Sequence, residues 1–276
     1  MFELFIPFFL LFLLILILAI IWRSNARKYI SSGTVASAYD AWTQDKLLER
    51  LWGEHIHLGF YPSGNKNIDF RKAKVQFVHE LVRWSDLDKL PKGSRILDVG
   101  CGIGGSSRIL AKYYGFNVTG ITISPAQVKR ARELTSIGLN CNFQVMDALD
   151  LKFEDGSFDA IWSVEAGAHM NDKKKFADEM LRTLRPGGYL ALADWNSRDL
   201  NAYPPSFIEK LVLKQLLEQW VHPNFISIKE FANILRTNKN SAGIVNSENW
   251  NSYTNPSWFD SIFEGIRRPY AILSLG

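Results

Sequence analysis

Short apolar runs alternate with helical stripes through the middle of the chain. Runs of about five apolar residues predict buried strands at 95–99, 117–121, 142–146, 158–163 and 189–193. Apolar positions spaced as on one helix face lie between them, up to about 114 after the first run, then at 125–136 and 172–184. Because strands alternate with helices, the pattern predicts an α/β fold with a doubly wound, mostly parallel sheet.

The flanking segments have other patterns. Residues 24–38 are small and polar and predict a linker, whereas residues 39–90 are rich in aromatics and include an amphipathic helix at 68–84. Two further amphipathic helices are predicted at 205–221 and 227–236, and the residues beyond them carry no clear pattern. The predicted organisation is an anchor at 1–22, a linker and cap at 23–90, a Rossmann-like core at 91–200, and lid helices with the remaining sheet at 201–276.

The chain begins with an apolar run that carries no charge from Leu4 to Trp22. At about 1.5 Å per residue in a helix, this run nearly spans a hydrocarbon core of about 30 Å. Arg23, Arg27 and Lys28 follow the run and no basic residue precedes it. The positive-inside rule therefore predicts a single transmembrane anchor with the bulk of the chain on the cytoplasmic side. A cleaved signal peptide is the alternative, but it needs a basic start and a shorter apolar core.

Composition narrows the range of partners. Lys and Arg number 32 against 28 Asp and Glu, which gives a formal charge of +4. This excess is too small to favour nucleic acid, whose binding needs a clustered basic face. The two cysteines, Cys101 and Cys141, have no spacing typical of a metal site or a disulfide framework. The sequence thus predicts no nucleic acid, no metal and a reducing compartment.

A glycine-rich turn follows the first predicted strand and points to a nucleotide-like cofactor. Gly100, Gly102 and Gly104 let the backbone approach a ligand and open a helix toward it. Asp98 at the strand end would repel a pyrophosphate but suits a cationic ligand such as S-adenosylmethionine. An NAD site also expects an acid after the second strand, and residues 120–125 contain none.

Ordered motifs resemble those of class I S-adenosylmethionine-dependent methyltransferases. They are DVGCGIGG at 98–105, GITISPAQ at 120–127, VMDA at 145–148, GSFDAIWS at 156–163 and LRPGGYLAL at 184–192. Longer stretches are similar to the γ-tocopherol methyltransferase-like branch, in particular to its cyanobacterial-type enzymes for prenylated benzoquinols: AYDAWTQDKLLERLWGEHIHLGFY, WSVEAGAHMNDK, ADWNSRD and QWVHPNFISI. The resemblance covers nearly the whole chain from about residue 30 and implies a plasma or thylakoid membrane.

The resemblance implies a set of cofactor-binding residues: Asp98, Gly100, Cys101, Gly102, Gly104, Thr122, Gln127, Asp147, Ala148 and Ser163. Asp98 would hold the methionine ammonium, Thr122 the ribose and Asp147 the adenine amino group. For several of these positions, a purely structural role is the alternative. Gln127 fits a helix capping box begun by Ser124, and Cys101 fits a small filler because nothing nearby activates a thiolate.

Glu165 and His169 follow the fourth predicted strand, where doubly wound sheets hold their reacting groups. Either side chain is a candidate for the catalytic base, and His169 also fits a structural role. Residues tentatively assigned to the acceptor are Tyr39, Trp42, His55, His57 and Trp195. The aromatic-rich segments 39–61 and 250–270 would form the channel for its ring and tail. His55 and His57 alternate around one residue and face the same side if extended.

The resemblance implies an S-adenosylmethionine-dependent C-methyltransferase. Its acceptor would be a prenylated benzoquinol, 2-methyl-6-phytyl-1,4-benzoquinol, in tocopherol and possibly plastoquinone synthesis, with membrane lipid as a further partner. A γ-tocopherol or sterol methyltransferase is the neighbouring alternative. An NAD-dependent membrane reductase and a noncatalytic S-adenosylmethionine-binding membrane protein are alternatives of other classes. The helix at 205–221 would bind lipid, cover the acceptor or simply pack on the core.

Overall fold

One parallel sheet organises the chain. A computed structural model describes residues 13–14, 28–62, 68–241 and 243–267. Its five strands are ordered β3-β2-β1-β4-β5, and all four neighbouring pairs are parallel. The strands are β1 (Arg95–Val99), β2 (Asn117–Thr122), β3 (Cys141–Val145), β4 (Phe158–Val164) and β5 (Leu184–Ala193). The doubly wound α/β prediction is confirmed.

The helices of the described residues lie before, between and after these strands. Three precede the sheet: α1 (Ser32–Gln44), α2 (Leu47–Trp52) and α3 (Phe70–Trp84). Three connect strands: α4 (Gly105–Tyr114), α5 (Pro125–Leu134) and α6 (Lys173–Thr183). Three follow it: α7 (Phe207–Trp220), α8 (Ile228–Arg236) and α9 (Asn251–Arg267). Short 3₁₀ turns lie at Leu87–Lys89 and Gly167–His169.

The central strand β1 is buried on both faces because helices cover both sides of the sheet. Side chains of a strand alternate between faces, so Ile96 joins one core cluster and Leu97 the other. Helices α3 and α4 supply the first cluster, whereas α6 and α8 supply the second. Asp98, near the carboxyl end of β1, is therefore surrounded by core and opens only toward the end of the strand.

Capping residues determine where the helices after β1 and β2 begin. Gly104 caps the amino end of helix α4 and Gly115 caps its carboxyl end. Both glycines have a positive φ, which favours this residue type. At α5, Pro125 takes the first helical position and the Ser124 hydroxyl accepts the Gln127 backbone N–H. The Gln127 side chain does not complete a capping box, because its amide oxygen accepts the Thr122 hydroxyl instead.

Three segments differ from the sequence prediction. Helix α1 begins at Ser32, inside the predicted linker, and buries Val35 and Ala38 against Val221, which is far away in the sequence. Helix α9 occupies a stretch that had no assignment; the residues it buries, Ser257 and Glu264, are polar, so the side that faces the core carries no apolar stripe. Strand β5 begins at Leu184 rather than 189, since a register shift opposite Phe158 accommodates the extra residues.

The predicted anchor at 1–22 lies almost wholly outside the described residues. Within the parts of the chain that the structure describes, no helix is long and apolar enough to cross a membrane. The described part of 201–276 contains three helices and adds no strand to the sheet, apart from an isolated bridge between Ser197 and Ser227. The helices predicted at 205–221 and 227–236 are confirmed as α7 and α8, whereas the described part of 201–276 contributes no strand to the sheet.

The packing of α6 on the sheet gives a stability prediction. Phe176 is fully buried in the second core cluster, so Phe176→Ala should lower the free energy of unfolding by about 3–5 kcal/mol. Urea denaturation followed by circular dichroism measures this change. The exposed Ile137 is the matched control, and Ile137→Ala should change stability by less than about 0.5 kcal/mol. Equal effects at both positions would contradict the packing described.

Candidate active site

A cavity of about 400 Å³ opens at the carboxyl ends of β1, β2 and β4. This is the edge at which doubly wound sheets bind their ligands, since the loops after parallel strands meet there. The glycine-rich turn after β1 forms one wall. Helix α1, the segment 54–58 and residues from α7 and α9 cover the other sides. The sheet edge and the N-terminal cap thus enclose one site.

The glycine turn is shaped for close approach of a ligand. Gly100 has a φ of +78°, and a Cβ there would lie 2.2 Å from the Cβ of Ala166. Gly102 has a φ of +55° and nothing within 4 Å of the place where its Cβ would be. A side chain at Gly100 therefore cannot be accommodated, and the missing side chain at Gly102 leaves the backbone bare at the cavity. The turn fits a nucleoside cofactor that lies against the main chain.

Asp98 is a buried carboxyl group without a cationic partner among the described residues. Only 2% of its surface is exposed, and the Ser107 hydroxyl donates to its Oδ2 at 2.5 Å. Burial raises the pKa of Asp98 to about 7, against this hydrogen bond, which lowers it. The side chain lines the cavity, so a cationic ligand group would supply the charge that the protein does not.

A polar network lies beyond the end of β2. The Thr122 hydroxyl donates to the Gln127 amide oxygen at 2.7 Å, and both residues line the cavity. Asp40 of α1 accepts hydrogen bonds from the Ser124 hydroxyl and, at 3.1 Å, from the Ala126 backbone N–H. Helix α1 is thereby held over the N-terminus of α5. Asp40 was not among the predicted site residues, because its hydrogen-bond partners lie more than 80 residues away along the chain.

Asp147 and Ala148 follow β3 and line the same cavity. The Leu149 backbone N–H donates to one carboxylate oxygen of Asp147 at 2.9 Å, which fixes the turn. Hydrogen bonding within a turn is the usual behaviour of an aspartate in a loop. The other carboxylate oxygen of Asp147 accepts no hydrogen bond from the described residues.

Glu165 lies directly after β4 with a φ of +55°, a backbone conformation that costs energy in a residue with a side chain. Its Oε1 accepts the Leu58 backbone N–H at 2.9 Å. Burial raises the pKa of Glu165 to about 7, whereas the Leu58 N–H and the Lys74 ammonium lower it, as does the nearby Trp195 indole, which does not reach hydrogen-bonding geometry. The carboxyl group is therefore poised to gain or lose a proton near neutral pH, at the wall of the cavity.

Lys74 is a buried cation that the sequence analysis did not single out. It lies on α3, is 1% exposed, and its Nζ donates to the backbone oxygen of His55 at 2.6 Å. The rings of Trp52 and Phe70 lie 5.2 and 4.5 Å from Nζ. Burial lowers the pKa of Lys74 to about 7, whereas Glu165 raises it. The amphipathic pattern of α3 predicts that a lysine here faces solvent. Only the structure shows that Lys74 is buried and that it binds the backbone of segment 54–58.

His169 has both ring nitrogens engaged. Nδ1 lies 3.3 Å from the Val221 carbonyl oxygen, which can only accept, so Nδ1 carries the proton. Nε2 then accepts from the Tyr39 hydroxyl at 2.8 Å. Burial lowers the pKa of His169 to about 4, which keeps the ring neutral. Burial also raises the pKa of Tyr39 above its usual range, with a further contribution from Glu165.

His222 completes this cluster and was absent from the sequence-based assignment, although it lies within the quoted stretch QWVHPNFISI. Its ring stacks on His169 with the centroids 4.2 Å apart. Burial lowers the pKa of His222 to about 2, so it is also neutral. Its buried Nδ1 and the buried indole Nε1 of Trp195 have no hydrogen-bond partner among the described residues. Both side chains line the cavity, which leaves two polar atoms there unsatisfied.

His55 and His57 do face the same side. The His57 Nδ1–H donates to the Leu58 carbonyl at 2.8 Å, so its Nε2 accepts from the His55 Nδ1–H at 3.0 Å. Burial lowers the pKa of both rings, that of His57 to about 3. Both residues line the cavity. No group of three or more potential metal ligands occurs among the residues that the structure describes.

Three predicted site residues do not line the cavity. Gly104 faces Phe143, whose ring would lie 2.6 Å from a Cβ at this position, so this glycine serves helix packing. The Ser163 hydroxyl is buried and donates to the Val99 carbonyl at 2.9 Å, which joins β4 to β1. Trp42 lies behind the wall and packs edge-on against a neighbouring tyrosine ring. Their assignment to cofactor or acceptor contact stays a prediction.

Comparison with known proteins agrees with this geometry. A family model for a methyltransferase domain matches residues 97–192. The 2-methyl-6-phytyl-1,4-hydroquinone methyltransferase of Synechocystis is 53% identical over 98% of this chain and 85% of that protein. The chloroplastic tocopherol O-methyltransferase of Arabidopsis thaliana is 37% identical over 77% of this chain and 64% of that protein.

Solved structures share the fold at lower identity. The cyclase SpnF has a TM-score of 0.72 at 24% identity and covers 88% of this chain and 85% of its own. Geranyl diphosphate C-methyltransferase from Streptomyces coelicolor, solved with S-adenosyl-L-homocysteine, has a TM-score of 0.65 at 20% identity and covers 84% and 86%. These likenesses support the fold alone, since one fold hosts several chemistries.

The match over nearly the full chain favours the methyltransferase prediction over an NAD-dependent reductase and over a noncatalytic binding protein. S-adenosylmethionine is the cofactor of this methyltransferase family. The chain belongs to the S-adenosylmethionine-dependent methyltransferases, in the group that contains 2-methyl-6-phytyl-1,4-hydroquinone methyltransferase and the tocopherol methyltransferases.

Proposed function

We propose that the protein methylates a ring carbon of 2-methyl-6-phytyl-1,4-benzoquinol to give 2,3-dimethyl-6-phytyl-1,4-benzoquinol. The observation that carries the proposal is the presence in one cavity of two buried carboxyl groups, neither of which forms an ion pair within the described part of the chain. Asp98 lies at the glycine turn and Glu165 lies at the wall formed by segment 54–58. Asp98 is suited to bind a cationic cofactor, and Glu165 is suited to accept a proton from a hydroxyl of the acceptor. The 53% identical relative carries the name of the same reaction.

The residues at the sheet edge fit S-adenosylmethionine, which supplies an electrophilic methyl group on a sulfonium. Asp98 would hold the ammonium group of its methionine part, and the bare backbone at Gly100 and Gly102 would lie against it. Thr122 and Gln127 would bind the ribose and methionine portions. Asp147 would accept from the adenine amino group, with the neighbouring Ala148 N–H against the ring and Cys101 as a neutral filler, because burial raises the pKa of its thiol.

Glu165 is the proposed base. A ring carbon becomes much more nucleophilic when the neighbouring hydroxyl ionises, yet a phenol with a pKa near 10 is only about 0.1% ionised at pH 7. A positioned base can contribute about 10²–10⁴-fold to the rate. With a pKa of about 7, Glu165 can take the proton and release it again under ordinary conditions. The remaining rate acceleration comes from the alignment of the methyl donor with the ring carbon.

His169 is proposed as a positioning residue rather than a base. Both of its nitrogens are occupied and its pKa is low, so it has no free lone pair for the acceptor. His222 and Trp195 offer unsatisfied nitrogens at the same cavity, and a quinol carries a second hydroxyl opposite the first. These two side chains, with Tyr39, His55 and His57 beside them, would orient the ring.

The membrane setting belongs to the same proposal. Residues 1–22 would anchor the chain, with residues 23–90 as linker and cap, 91–200 as the cofactor-binding core and 201–276 as lid helices. The acceptor's prenyl tail would stay in the lipid while its ring enters the cavity. The catalytic part would lie on the cytoplasmic side, at a plasma or thylakoid membrane, because basic residues follow the apolar run.

The function is tested by a methyl-transfer assay. Vesicle-reconstituted full-length protein with methyl-labelled S-adenosylmethionine and 2-methyl-6-phytyl-1,4-benzoquinol should yield labelled 2,3-dimethyl-6-phytyl-1,4-benzoquinol, identified by mass spectrometry and NMR. γ-Tocopherol and a sterol serve as parallel acceptors. A higher kcat/KM for either of these than for the benzoquinol would overturn the proposed acceptor.

The charge of Asp98 should control cofactor affinity. Because its pKa is about 7 in the free protein, the group binds a proton that a cationic ligand must displace, so affinity should fall about tenfold for each pH unit below 7. Calorimetry with S-adenosylhomocysteine between pH 5.5 and 7 measures this slope. Asp98→Asn should bind weakly with no such slope. A variant that keeps the slope would show that another group causes it.

Replacing Glu165 should remove the base and leave the cofactor site intact. Glu165→Gln should lower kcat about 10²–10⁴-fold and abolish the rise of kcat with pH up to about 7, because the ionised carboxylate is the active form. Saturating cofactor removes the contribution of Asp98 to this profile. The exposed Glu154 is the control, since Glu154→Gln should keep both rate and profile. An unchanged profile in Glu165→Gln would assign the base elsewhere.

A further inference from the structure

Helix α7 leaves its apolar side chains in the open. None of its residues is buried, and its first half exposes four large apolar side chains: Phe207 (75%), Ile208 (71%), Leu211 (50%) and Val212 (63%). An amphipathic helix ordinarily buries its apolar stripe against the core. Isolated exposed apolar residues are normal, but a contiguous group indicates an interaction surface.

Helix α9 shows a second apolar group of the same kind. Its exposed side chains are Phe259 (57%), Ile262 (61%), Phe263 (47%) and Ile266 (67%). Their spacing of three and four residues places them on one helix face. The opposite face of α9 contacts the protein, since the buried Ser257 and Glu264 lie there. The outward face of α9 is therefore apolar although its inward face is polar.

The two helices are linked at the cavity through Trp52 of α2. The ring of Trp220, the last residue of α7, lies 5.7 Å from the Trp52 ring, and the Trp52 indole N–H donates to the Ser261 carbonyl of α9 at 3.4 Å. These three residues and the exposed Ile262 all line the cavity. We call the eight exposed apolar residues of α7 and α9 the mouth surface, because both helices contribute lining residues to the cavity.

Charge distinguishes the two sides of these helices. The acids of α9 point inward, where Asp260 accepts from the Tyr61 hydroxyl and Glu264 pairs with Arg71. Arg267 lies over the Phe263 ring on the outward side, 5.9 Å from its centroid. On α7, Glu209 pairs with Arg198, and the neighbouring Lys210 is exposed and forms no ion pair with the described residues. The mouth surface thus combines apolar side chains with cations, which complements anionic lipid headgroups.

Tyr29, which follows the N-terminal apolar run in the sequence, lies at the cavity. It lines the cavity, and the next residue, Ile30, is 80% exposed. The segment from Trp22 to Tyr29 spans at most about 25 Å when fully extended. If the run before it anchors the chain, the cavity opening cannot lie farther than this from the membrane surface.

We propose that the mouth surface docks on an anionic lipid bilayer, so that the cavity opens directly into the lipid. The proposal rests on the proposed function for the acceptor that enters, a ring carried on a prenyl tail. Apolar side chains of α7 and α9 would enter the boundary between headgroups and acyl chains, while Lys210 and Arg267 reach phosphate. The acceptor ring then slides from lipid into the cavity without exposing its tail to water.

Photocrosslinking in vesicles tests where lipid lies. Full-length protein is reconstituted in phosphatidylcholine–phosphatidylglycerol vesicles with p-benzoylphenylalanine at Phe207 or Phe263, and at the exposed Ile137 as control. Irradiation should give lipid adducts at the first two positions and none at Ile137, as read by mass spectrometry. Crosslinks to a second copy or within the chain, no adduct, or equal lipid labelling at Ile137 would each overturn the proposal.

Kinetics provide the second test. Val212→Asp combined with Ile266→Asp should raise KM for the phytyl acceptor in vesicles at least tenfold and leave kcat for a short-tailed, water-soluble benzoquinol unchanged. Both positions are more than half exposed, so the fold tolerates the change. Ile137→Asp should alter neither value. Equal loss with both acceptors would overturn the docking role. Failure of the wild type with every benzoquinol would reject the proposed function while the photocrosslinking result still decides the surface.

Discussion

The pairing of β1 with a parallel strand on each side determines where the polar groups of the cavity lie. Asp98 is in register with Gly120 of β2 and with Trp162 of β4, which fixes its backbone in the centre of the sheet, and its carboxyl group lies against α4, where Ser107 donates to it. The glycine turn begins at the end of this strand. The other groups of the site reach this point from the loops after β2, β3, β4 and β5, from the N-terminal cap, and from the helical segment that follows the sheet. Burial of the Asp98 carboxyl group costs desolvation free energy, and the cavity lies directly beside this group.

The titratable groups around the cavity share one property, which is that burial moves each toward its neutral form. The pKa values of Asp98 and Glu165 rise to about 7, that of Lys74 falls to about 7, and that of His169 falls to about 4. A cavity with little fixed charge suits an apolar ring and excludes water. In the same setting, a cationic cofactor becomes the largest local charge and therefore interacts strongly with the two carboxyl groups.

The sequence predicted the sheet almost completely because strand runs and glycine turns are local signals. It also placed most cofactor-side residues correctly at the cavity, since Asp98, Gly100, Thr122 and Asp147 sit at strand ends. Contacts between distant segments were beyond its reach. Lys74 looks like a solvent residue on an amphipathic helix, and the unsatisfied nitrogen of His222 depends on rings brought together from three parts of the chain. Helix α9 stayed hidden because its buried residues are polar.

The covering segment 54–58 is attached to the core largely through its main chain. Lys74 holds the backbone oxygens of His55 and Ile56, and Glu165 holds the backbone N–H of Leu58. Backbone groups are the same whatever side chains they carry. The side chains that face the acceptor at these positions can therefore change during evolution without loosening the cover. A family built this way can change the ring it accepts by substitution within one short loop, while the lysine and the glutamate that hold this loop stay the same.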